Sequence, residues 1–148
     1  MDVQAQRAYA TADSKFEPSP VSVRTKISGL WAAMLFVFAY VDIFSLYRPD
    51  FLADIEAGRI SGFAIGQSFL LATTIYVVLP SLMVFAVLVM RAGVSRIVNL
   101  GLSVVYALTI IAGAIGEWNY YLFGSAVEVA LLALIFYYAW TWPRATET

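Results

Sequence analysis

Asp42 and Glu128 are acids set deep inside long apolar stretches, and that placement asks what chemistry they serve. A charged carboxylate at mid-bilayer costs roughly 2.5–3.5 kcal/mol on insertion scales, so such groups turn toward the protein interior. A cation, a proton or a hydrogen-bond donor must then offset the cost. Neither stretch contains a Lys or Arg. Arg48 lies about a turn and a half beyond Asp42 and could reach back to it along a helix, so a structural ion pair is the competing reading there. Glu128 follows Gly124 and Ser125 at helical spacing, and small residues mark a face where helices approach closely. Tyr106, Thr109, Gly113 and Glu117 form a second stripe, and Gln67, Thr74 and Ser81 recur on a third. Together these point to a polar interior open to one side, with Asp42, Gln67, Glu117 and Glu128 as candidate ligand-binding residues. Against this stands a plainer reading, in which polar groups between membrane helices are hydrogen-bond glue worth around 0.6 kcal/mol each on average.

The chain has no cysteine and no histidine. That excludes disulfides, thiol chemistry, His general bases and the common zinc and haem sites. No metal site or cofactor is expected, and carboxylates, tyrosines, amides and hydroxyls are left to carry any function. The net charge of −1 gives no basic patch for nucleic acid.

Around these residues the chain of 148 residues is 61% apolar and only 13% charged, whereas ordinary soluble domains are roughly 45–50% and about 25%. A domain this small has too little interior to hide that surface from water. The expected fold is therefore all-α, a transmembrane four-helix bundle with the lipid bilayer as its solvent. Spans are predicted at about residues 27–47, 67–90, 97–118 and 121–142, each near the 20 residues that cross the hydrocarbon core. Trp31 and Tyr47 are expected at the two interfaces of the first span. Pro80 falls inside the second and should kink it, because it lacks an N–H and crowds the carbonyl four residues earlier. Ser81 or a neighbouring helix is expected to satisfy that carbonyl.

Outside the spans, residues 1–26 read as a disordered polar tail with Pro18-Ser19-Pro20 near its end, and 144–148 as a short second tail. In the first loop, Asp50 is an expected N-cap and Gly58 a C-terminal stop. Phe51, Leu52 and Ile55 share one face, which suggests a short interfacial helix; an irregular loop is the alternative. Gly62 and Gly66 make a GxxxG pattern, read either as a dimer contact or as loop. Lys15, Arg24, Lys26, Arg91, Arg96 and Arg144 gather at one end of the spans. The positive-inside rule thus puts both termini in the cytoplasm, with the acids in the outer half of a cell membrane.

Several stretches carry a family resemblance: Ala39-Tyr40-Val41-Asp42-Ile43 in the first span, Arg96 with Asn99 opening the third, and the fourth span from Tyr121 through Glu128-Val129 to Tyr138-Ala139-Trp140-Thr141-Trp142-Pro143. From Lys26 to Arg144 the chain resembles a bacterial family of small four-span membrane proteins of unknown function. The resemblance implies that Asp42, Arg96, Asn99 and Glu128 occupy the family's recurring polar positions, Arg96 and Asn99 on the cytoplasmic face. The family pattern also carries an acid shortly before the mid-span proline, where this chain has Val77-Val78-Leu79-Pro80. No activity comes with the resemblance.

Two functions fit these residues. One is binding or transport of a small molecule, cation or lipid through an outward-facing acidic pocket; four short helices would call for a homodimer to complete a transport path. The other is a structural or accessory membrane protein without a ligand. An enzyme would need a carboxylate-and-tyrosine mechanism, and no catalytic motif is recognisable.

Overall fold

The computed structural model describes residues 21–143, so most of the expected N-terminal tail and all of the C-terminal one lie outside the described residues. The described chain runs α1 (Val23–Ser45), α2 (Pro49–Glu56), β1 (Arg59–Ile60), β2 (Phe63–Ala64), α3 (Gln67–Val89), α4 (Ala92–Gly113) and α5 (Asn119–Trp140). At 1.5 Å per residue the four helices of 22 or 23 residues match the roughly 30 Å hydrocarbon core. Each sends large apolar side chains outward, among them Phe36, Phe85, Leu108 and Phe123. The protein is a multi-pass membrane protein built as an all-α four-helix bundle.

Local chemistry sets the helix ends. Ser22 caps α1 by accepting the Thr25 N–H at 3.2 Å, so the helix begins four residues before the expected Ile27. Trp31 is thereby drawn two turns inside the bundle, fully buried instead of interfacial. There its Nε1–H donates to Asn99 Oδ1 at 2.7 Å, while the Asn99 amide donates to the Ser95 carbonyl at 2.7 Å. α4 likewise starts at Ala92 and stops at Gly113, so Glu117 sits in the following turn and not on the helix.

In the first loop, Pro49 takes the first helical position, where its missing N–H costs nothing, and Arg48 rather than Asp50 is the N-cap. Gly58 at φ +74° provides the left-handed stop. The stretch after it is a hairpin pairing Arg59 with Ala64 and Ile60 with Phe63. Its two turn residues, Ser61 (φ +50°) and Gly62 (φ +82°), have the positive φ values that the right-handed strand twist selects. Gly62 therefore lies in this turn and Gly66 at the N-cap of α3, so the GxxxG pattern forms no helical face.

In the bundle α1 lies between α3 and α5, and α4 packs on α5; α3 and α4 scarcely meet although only two residues join them. The ring of helices is open along that seam. One end is closed by a core of Ile27, Trp31 and Met34 from α1, Met83 and Val87 from α3, and Leu132, Ile135 and Ala139 from α5. At this end two arginines finish neighbouring helices. Arg24 donates to the carbonyls of Val87, Leu88 and Met90 at 3.2, 3.0 and 2.6 Å, and Arg96 to those of Ala139 and Trp140 at 3.2 and 3.3 Å. Cations there satisfy orphan carbonyls and the negative end of each helix dipole.

Candidate functional site

Pro80 stands inside an unbroken α3 and is buried. It has no N–H for the carbonyl of Tyr76, four residues back. Of the two expected partners it is a neighbouring helix that serves: Tyr106 on α4 donates its hydroxyl to that carbonyl at 2.5 Å, while Ser81 donates to Val77. Thr109 spends its only hydroxyl hydrogen on the Tyr106 carbonyl at 3.0 Å, so the 2.7 Å bond between Tyr76 and Thr109 must have Tyr76 as donor. The two tyrosine rings lie 4.7 Å apart. This reciprocal clasp joins α3 to α4 at mid-depth, and on the side away from the arginine caps the seam opens into a cleft.

The cleft has two lobes. The inner one, of about 520 Å³, reaches from the α3–α4 seam to Glu128 on α5 and is walled chiefly by Phe38, Phe63, Phe69, Tyr76 and Tyr121. An outer one, of about 450 Å³, is lined by Asp42, Arg48 and Glu117 under a cover made by α2 and the hairpin. Phe69, Thr73, Gly113 and Tyr121 border both, so the lobes adjoin along these four residues.

Glu128 is 2% exposed, and its Oε1 has no hydrogen-bond partner among the described residues. Its burial follows from sequence. Gly124, one turn earlier, lets α1 come so close that a methyl group there would overlap Cγ2 of Val41. Asp42, next to Val41, is exposed and not turned inward as expected: it borders the outer lobe alone, because only Val41 of that pair faces Gly124, while Glu128 borders the inner lobe. The small residues around Glu128 thus do mark a packing face.

Arg48 does not pair with Asp42. Its guanidinium binds Asp50, with Nη2–Oδ2 at 2.6 Å and Nε–Oδ1 at 3.3 Å, and also Glu117, and it lies 4.7 Å over the Trp118 ring. The hydrogen bond to Asp50, chiefly, raises the Arg48 pKa, and the same bond holds the Asp50 carboxyl below its usual range. Arg48 is committed to the loop because α1 ends at Ser45 and the Pro49 turn redirects the chain away from Asp42. No partner inside the protein neutralises Asp42 or Glu128 among the described residues.

The remaining candidates fall elsewhere. Gln67 is the exposed first residue of α3 and borders neither lobe. The inward face of α3 is Phe69, Thr73, Tyr76 and Pro80, and at 100° per residue Gln67 lies about 200° around from Phe69. Thr74 and Ser81 share its outward side and bond their own helix at Leu70 and Val77. Arg96 and Asn99 belong to the closed end, as a helix cap and a core hydrogen-bond hub. Tyr121 and the phenylalanines of the inner lobe were missed as site residues; the spacing of Phe69, Thr73 and Tyr76 marks one face of α3, but Phe38, Phe63 and Tyr121 lie on three other elements and no sequence spacing joins them.

A family model described as "Family of unknown function (DUF6326)" matches residues 21–148. No curated protein and no solved structure matches the chain.

Proposed function

The chain belongs to the family of unknown function DUF6326, and we propose, from the cleft, that it binds a cationic small molecule within the membrane. The observation that carries this reading is Glu128, buried at the wall of a cavity of about 520 Å³ with an unpartnered oxygen. An isolated buried carboxylate is expensive, and buried charges are ordinarily paired. A ligand cation would supply the missing partner, and Asp42 in the adjoining lobe would draw it toward the site. Positive-inside bias supports cytoplasmic termini, which would turn the acids toward the outer face of a cell membrane.

The structural reading has less support, because bundle cohesion runs through other groups. The Trp31–Asn99 bond, the Tyr76–Tyr106 clasp and the two arginine caps tie the helices together without either acid.

The test is thermal stabilisation of the detergent-purified full chain by a panel of organic ammonium and phosphonium ions, in wild type and in Glu128→Gln. At least one cation should raise the wild-type melting temperature and leave the variant unmoved. Equal shifts in both proteins, or none in either, would sink the proposal.

A further inference from the structure

The walls around Glu128 narrow the kind of cation that would fit. A metal ion takes several oxygen ligands, and among the described residues no three acids converge closely enough to hold one. A primary ammonium brings three N–H donors, each needing an acceptor. The inner lobe offers one carboxylate and three hydroxyls; Tyr76, Thr109 and Thr73 spend their hydrogens on Thr109, the Tyr106 carbonyl and the Phe69 carbonyl, and only their oxygen lone pairs remain as acceptors. What the lobe has in excess is ring surface. Phe63 from the hairpin stacks on Phe69 at 6.2 Å, Phe38 and Tyr76 pair at 6.1 Å on the inner side, and Tyr121 stands where the lobes join. Aromatic faces attract cations through their quadrupoles, most strongly where water is excluded, and such boxes suit cations that carry no N–H. The mouth also lies along the seam where α3 and α4 scarcely meet, so it is reached sideways from the hydrocarbon.

We infer that the inner lobe takes a bulky lipophilic cation, quaternary or with delocalised charge, held by Glu128 and an aromatic box of Phe38, Phe63, Phe69, Tyr76 and Tyr121. This rests on the reading of Glu128 as the cation-binding group and specifies its ligand class.

The experiment compares tetraphenylphosphonium with tetramethylammonium by calorimetric titration of the full chain in detergent, with Glu128→Gln in the same micelles to subtract partitioning. Tetraphenylphosphonium should bind wild type at least about tenfold more tightly, as two or more cation–π faces would give, and Phe69→Leu and Tyr121→Leu should each reduce the preference several-fold. Gly113→Leu adds a side chain at the junction of the lobes, where a Cβ meets nothing nearer than the Tyr121 hydroxyl at 4.0 Å; it should block the large cation more than the small one. Size-exclusion and melting profiles confirm that each variant is folded, and Gly113→Leu serves if the ring variants are not. Glu128-dependent binding of both cations with equal affinity, or tighter binding of tetramethylammonium, overturns the lipophilic assignment and leaves the cation site standing. No Glu128-dependent binding of either overturns both.

Discussion

The hydroxyl of Tyr106 donates to the backbone carbonyl of Tyr76, which is the carbonyl that Pro80 leaves without its helical partner. A defect in one helix is thereby repaired by a side chain from another. The bond also fixes the depth at which α3 and α4 part and the cleft begins.

Tyr106→Phe removes this donor and leaves a carbonyl unsatisfied inside the bundle. The expected cost is about 1–3 kcal/mol, the desolvation penalty of an orphaned polar group. Pro80→Ala restores an N–H in α3, so Tyr106→Phe should cost little in that background. Thermal unfolding of the two single variants and the double variant in detergent measures the coupling; additive effects would contradict the account.

The four membrane helices were legible because about 20 apolar residues in a row admit few other structures in a bilayer. Their ends were less so, since Ser22 and Pro49 act through capping geometry that span hydropathy does not register. Asp42 and Glu128 could be picked out as costly residues, but the Arg48–Asp50–Glu117 cluster could not, because it depends on two loops meeting in space. Gln67 misled for a related reason. Its heptad partners Thr74 and Ser81 form a true helical stripe, but hydroxyls that bond their own backbone can face lipid. The aromatic face of α3 reads the same whether it meets lipid or a cleft, and only the placement of α4 decides.

Gly124→Ala tests how the close approach of α1 to α5 buries Glu128. The added methyl overlaps Cγ2 of Val41, a β-branched side chain with little rotameric freedom. Overpacking of this kind costs typically 1–3 kcal/mol, and prying α1 from α5 should also weaken Glu128-dependent cation binding. Val41→Ala in the same chain should recover most of both losses, read as melting temperature and as affinity.

The first-loop clamp should respond to acid. Hydrogen bonding to Arg48 holds the Asp50 carboxyl below its ordinary value of about 3.9. The stability it contributes is therefore complete above that value and is lost as pH falls through the lower, folded-state pKa. Melting temperature should show no change from Asp50 between neutral pH and about pH 5, then decline more steeply in wild type than in Asp50→Asn. Asp50 is exposed, so the difference should be small. Identical acid limbs in the two proteins would mean that the pair holds nothing.

Membrane orientation decides which compartment the cleft serves, and the lack of native cysteine makes it directly measurable. Val21 and Thr141 are exposed at the end that carries Arg24 and Arg96, and Asp54 is exposed on α2 at the other. With arginines retained on the cytoplasmic side, a membrane-impermeant maleimide should label Asp54→Cys in intact cells. Val21→Cys and Thr141→Cys should react only after lysis. Because an even number of spans leaves both ends on one side, these two must behave alike. Labelling of both in intact cells, with Asp54→Cys protected, would turn Asp42 and Glu128 toward the cytoplasm and make the cleft a site for an intracellular cation.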